Sequence, residues 1–179
     1  MQIHSESRIH HPLELVYTCY RDRLPKIAPY TPDIREIIVR SREDLAVGPK
    51  IHNVWVADRD IPKVAQGIIK PEMLQWDDYA EWDNGAKHVN WRLHIPAFPD
   101  AVKCSGRNAF FADGPDATRV VLSGDLSINV KNVPGVPRLL AGRIAPKLEA
   151  FIVKLITPNL EKVNHSLERF LDENAHEMG

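Results

Sequence analysis

Four tryptophans and three short polar residues are the side chains best suited to chemistry in this 179-residue sequence. Asn53 and Trp55 are two positions apart, and Trp76, Asp78, Ala80 and Trp82 follow one another at the same step. In an extended chain such residues share a face. Trp91 holds the same parity in the next stretch, and Cys104, Asn108 and Phe110 in the one after. If these faces converge, one carboxyl group and two amides stand inside an aromatic wall. A carboxylate so placed is harder to ionise, which suits proton transfer. An unpartnered buried amide or carboxylate costs roughly 1–3 kcal/mol, so Asn53, Asp78 and Asn108 need a mutual bond, a water or a guest's polar group. Two alternatives stand beside this reading. The aromatic residues can pack as a solid core, and a one-residue slip in register would turn the polar trio to solvent.

Other chemistries find less support. Cys19 and Cys104 are 85 positions apart and outside any CxxC, and both read as small buried hydrophobes. A Cys104 nucleophile would need a base that sequence cannot place. The 8 histidines lack zinc-like spacing, and adjacent His10 and His11 would point to opposite faces of a strand. No metal site and no cofactor is expected. The nucleophile elbow GxSxG, the P-loop, GxGxxG and HExxH are absent.

Charge is unevenly spread. From Lys131 to Lys162 six bases face only two acids, and Arg143, Lys147 and Lys154 recur at helical spacing. The segment Glu72 to Asp83 has five acids and no base. The basic side is either a solvated helix face or a surface that attracts an anionic head group or membrane.

The elements that must position these residues follow from periodicity. Gln2 to His11 reads as a strand, and Leu13 to Leu24 as a helix ended by the prolines at 25, 29 and 32. Strands are expected at Ile34 to Ser41, Lys50 to Asp58, Leu74 to Asp83, His88 to Ile95, Val102 to Ala112 and Thr118 to Val130. Ile61 to Ile69 has the spacing of a short helix closed by Pro71. From about residue 135 to Asn174 an apolar stripe including Phe151 predicts a long helix, which Pro146 and Pro158 should bend or divide. Successive strands imply an antiparallel meander, and the helix must bury its stripe on that sheet.

Composition sets the outer limits. With 44% hydrophobic and 26% charged residues, the chain reads as one globular α+β domain over residues 1–179. Its net charge of -1 argues against a nucleic-acid partner. No window is long and apolar enough for a membrane helix, and the first residues have no apolar signal region. A cytoplasmic location is the expectation.

This order of elements resembles the helix-grip fold of the START-like superfamily, also called SRPBCC or Bet v 1-like, over Ile3 to Leu171. The resemblance implies a curved antiparallel sheet of about six or seven strands wrapped around a long C-terminal helix, with a cavity between them. A narrower likeness is to the PRELI-like lipid-transfer branch, through Ile61-Pro62-Lys63, the stretch Asp78 to Trp82, and the stretch Gly106 to Phe110. The expected function is non-catalytic binding or transfer of an apolar or amphipathic small molecule, lipid-like, with transient membrane contact. The expected ligand-binding residues are Asn53, Trp55, Trp76, Asp78, Trp82, Trp91, Cys104, Asn108, Phe110 and Phe151. The alternative is a polyketide cyclase or aromatase using the same cavity with Asp78 and a Tyr or His. A third reading makes the basic helix face a protein-docking surface.

Overall fold

Alternating apolar positions draw the chain into strands β1 (Gln2–Ile9), β2 (Ile34–Glu43), β3 (Lys50–Ala57), β4 (Gln75–Asp83), β5 (His88–His94), β6 (Val102–Ala112) and β7 (Thr118–Ile128). The computed structural model describes residues 1–61, 63, 66–67, 69–133 and 141–174. The strands form one curved, wholly antiparallel 7-stranded sheet in the order β1-β7-β6-β5-β4-β3-β2. Three helices are described: α1 (Leu13–Asp22), α2 (Leu24–Ile27) and α3 (Ala141–Asn174). Among them none is long and apolar enough to cross a membrane.

The strand limits fall close to the expected ones, and β6 spans the expected residues. The first strand stops at Ile9 instead of His11, because both histidines turn to α3. The His10 backbone N–H donates to Glu168 Oε1 at 2.9 Å, its Nδ1 meets the same oxygen at 2.8 Å, and His11 Nε2 meets Asp172 Oδ1 at 2.8 Å. β7 ends at Ile128, since residues Val130–Asn132 form a 3-10 turn. The single helix expected over Leu13 to Leu24 is two. Arg23 leaves the helical conformation at φ -120°, and α2 restarts with Pro25 in its first turn, where a missing N–H costs nothing.

The short helix expected over Ile61 to Ile69 rests on residues 62, 64, 65 and 68, which lie outside the described residues. Lys63, Gln66 and Gly67 are turn residues. Pro71 does not close a helix; it opens a 3-10 turn, Pro71–Met73. Residues 134–140, where the C-terminal helix was expected to begin, also lie outside the described residues. From Ala141 the helix runs for 34 residues through both prolines without division. Pro158 has no N–H to offer the carbonyl of Lys154, one turn earlier. The Arg59 guanidinium donates to that carbonyl instead and also stands 3.6 Å from Asp33. The strand-to-helix link thus fills the gap that proline leaves.

The expected inward positions on β1 and β3 to β7 are buried. All four tryptophans are buried, as are Asn53, Asp78, Asn108, Val120, Leu122 and Leu126. The apolar stripe of α3 lies against this face, with Leu148, Ile152, Ile156, Leu167 and Leu171 fully buried. Burial of such a side chain stabilises the fold by about 1.5–3 kcal/mol. Register aligns Ala80, Trp91, Gly106, Gly124 and Ile3 in one row across the sheet. The two glycines make room for the Trp91 indole. A Cβ on Gly106 would lie 2.3 Å from the Ser123 carbonyl oxygen and 2.5 Å from Trp91 Cζ2.

Candidate functional site

Between the sheet and α3 lies a cavity walled by Trp55, Trp76, Trp82 and Trp91, with about 600 Å³ unfilled by atoms. That figure includes its open mouth; the space open to the centre of a water molecule is about 40 Å³. The interior is therefore neither solid nor wide. It is a narrow slot between the sheet and α3.

Each polar lining residue is placed by register. β3 and β4 set Asn53 opposite Asp78 and Trp55 opposite Trp76. Asn53 Nδ2 and Trp55 Nε1 both donate to Asp78 Oδ2, at 3.2 and 3.3 Å. Burial pushes the Asp78 carboxyl up to about 6, against the pull of those two donors and of the His52 charge. Among the described residues nothing donates to its other oxygen, Oδ1. On the neighbouring strands Trp91 Nε1 donates to Asn108 Oδ1 at 2.9 Å, and Asn108 Nδ2 donates to the Tyr20 hydroxyl at 3.3 Å. Burial, then the Asp78 charge, holds the Tyr20 phenol above its ordinary range. Among the described residues its own O–H has no acceptor. Among the described residues, Trp82 Nε1 and Asn159 Oδ1 are buried without hydrogen-bond partners.

The cavity thus brings together seven expected residues: Asn53, Trp55, Trp76, Asp78, Trp82, Trp91 and Asn108. Cys104, Phe110 and Phe151 are buried but do not line it. Phe110 sits behind Tyr20 and Trp82, its ring centroid 5.7 and 6.1 Å from theirs, and closes that end of the interior. Cys104 pairs with Leu93 and Leu126 in the sheet, and burial pushes its thiol up to about 12. Such a thiol is a poor nucleophile. Phe151 lies on α3 more than a turn before Ile156, where the helix's share of the lining begins.

Spacing alone passed over Tyr20 and Arg21 from α1, Leu24 from α2, and Asn159 from α3. Asn159 carried a readable signal: it lies four residues from both Leu155 and Val163, inside the apolar stripe. Arg21 is the cation in the lining, and its guanidinium is engaged by Asp22 at 2.6 Å and Asn84 at 2.7 Å. Lys147 and Lys154 are exposed and do not line the cavity. The Arg143 side chain lies outside the described residues. No group of three or more His, Cys, Asp or Glu among the described residues is placed to hold a metal ion.

No family model matches the chain, and no curated protein does. Solved structures do. A protein from Thermus thermophilus superimposes with a TM-score of 0.68 at 23% identity, over 98% of this chain and 99% of that one. The ZhuI aromatase/cyclase of a Streptomyces species gives 0.62 at 18% identity, over 94% of each chain. A START superfamily protein from Mycobacterium smegmatis gives 0.51 at 13% identity, over 90% of this chain and 98% of that one. The chain has the helix-grip fold of the START-like superfamily. At these identities the fold is what the chain shares with them.

Proposed function

We propose that this chain binds a compact, ring-bearing apolar or amphipathic small molecule between its sheet and α3. The observation that carries the reading is the slot itself: four tryptophans around one carboxylate, with polar atoms of Asp78, Trp82 and Asn159 left without partners among the described residues. Stacked walls such as Trp55 and Trp76, 5.9 Å apart and 15° from parallel, suit a flat guest. The narrow interior favours such a guest over the acyl chains carried by the PRELI-like branch.

The test is titration with an uncharged naphthyl probe, N-phenyl-1-naphthylamine. Enhanced, blue-shifted probe emission at micromolar affinity is expected. Ala80 lines the cavity, and Ala80→Leu should weaken the probe at least tenfold while leaving the circular dichroism spectrum unchanged. Absence of probe binding to the wild-type chain would overturn the reading.

A second reading, aromatase- or cyclase-like catalysis, draws support from Asp78. A carboxyl group with its midpoint raised to about 6 can accept a proton near neutrality and return it. Asp78 would take the proton from a carbon beside a guest carbonyl, leaving an enolate, and then give it to a departing hydroxyl as the neighbouring C–O bond breaks and water forms. Loss of turnover in Asp78→Asn with binding of the uncharged naphthyl probe retained is the expected result; unchanged turnover would remove Asp78 from that role.

A further inference from the structure

The lining has a charge imbalance that the proposed binding of a ring system does not itself explain. Its acid is Asp78, with two N–H donors on Oδ2 and, among the described residues, none on Oδ1. Its cation, Arg21, is already bound to Asp22 and Asn84. His52 lies on the opposite face of the sheet, where its Nε2 meets Asp77 Oδ1 at 2.7 Å. A second acceptor without a partner among the described residues, Asn159 Oδ1, belongs to a residue 2% exposed, whose amide nitrogen donates to the Leu155 carbonyl at 2.7 Å. The rest of the wall is largely aromatic, and the faces of indole and phenol rings attract cations.

We infer that the guest carries a protonated primary or secondary amine, held by Asp78 Oδ1 and Asn159 Oδ1 within the tryptophan wall. An ammonium group has N–H donors enough for both acceptors, whereas a hydroxyl has one. It also supplies the positive charge that a buried carboxylate needs, and it gains from the ring faces. The free donors, Trp82 Nε1 and the Tyr20 hydroxyl, remain for an oxygen elsewhere on the guest. A carboxylate-bearing guest would place two negative charges in one dry slot. The inference names the guest class for the cavity proposed above and rests on that reading.

Displacement of the bound naphthyl probe tests it, using phenethylamine, 2-phenylethanol and 3-phenylpropionate as competitors of similar size. At pH 7.5 the amine should displace the probe at a concentration at least tenfold below that of the alcohol, with the carboxylate weakest. Asp78→Asn should bring the amine to the alcohol's level. If that variant fails to fold, the wild-type pH profile decides. Amine affinity should rise roughly tenfold between pH 5 and 7.5 as Asp78 ionises, while the alcohol shows no such rise. An alcohol that matches the amine, an amine that fails to displace bound probe, or an amine affinity that is flat or falls with pH would overturn the inference and leave the cavity reading standing. Failure of the probe itself to bind would overturn both.

Discussion

Asp78 makes the folded state less stable at neutral pH than it would be at pH 4. Its folded value, about 6, stands above the unfolded value of about 3.9. The native chain therefore holds the Asp78 proton over a range in which the unfolded chain has released it. Stability should fall as pH rises from about 4 to 6 and level off above, the reverse of a salt-bridged carboxylate. A shift of about two units corresponds to roughly 2–3 kcal/mol. Asp78→Asn is expected to raise stability by about 2 kcal/mol at pH 7.5 and by little at pH 4, as read by urea unfolding at the two pH values. Gly106 sets a second limit at this scale. A methyl group there meets the backbone of the neighbouring strand as well as the Trp91 ring, so it cannot be relieved by one side-chain rotation. Gly106→Ala should cost about 1–3 kcal/mol in the same assay.

At the level of elements, the bond between Arg59 and the Lys154 carbonyl compensates for Pro158. Arg59→Ala should lower stability by about 1 kcal/mol. In a Pro158→Ala background, where the helix regains its own N–H donor, the same change should cost much less. A double-mutant cycle measures that coupling, and additive effects would show that the two sites are independent. The strands were legible because period-two alternation registers directly which face meets the core; β6 was read to the residue, and the faces of β3, β4, β5 and β6 gave seven lining residues. The break at Arg23 was not, since α1 and α2 continue one apolar pattern and differ only in backbone angles at a single residue. Parity also cannot tell filled interior from empty. Cys104, Phe110 and Phe151 are buried as predicted, yet none of them lines the cavity; Phe110 packs on Tyr20 and Trp82 instead. Tyr20, Arg21 and Leu24 escaped notice because the way α1 and α2 pack against the rest of the fold is encoded by no local spacing.

For the molecule as a whole, a guest that binds only the folded chain must stabilise it by mass action. At 100 times its dissociation constant, the naphthyl probe should add about 2.7 kcal/mol and raise the melting temperature by several degrees. Ala80→Leu should abolish most of that rise. A melting temperature unmoved by saturating probe would place the probe on the exterior or on the unfolded chain. The imidazole-to-carboxylate contacts of His10 and His11 join the end of β1 to the far end of α3, so the same closure ties sequence-distant parts of the chain together.

The pairing of β1 with β7 has a consequence for biosynthesis. Gln2 finds its neighbour at Asp125, more than a hundred residues downstream. At ribosomal speeds of about 5–20 residues per second, the leading strand waits on the order of ten seconds before its partner emerges. During that interval Ile3 and Ile9, both buried in the finished molecule, stay open to solvent or to a chaperone. Completion of the sheet is then a late, long-range event, and the high separation between partners slows folding.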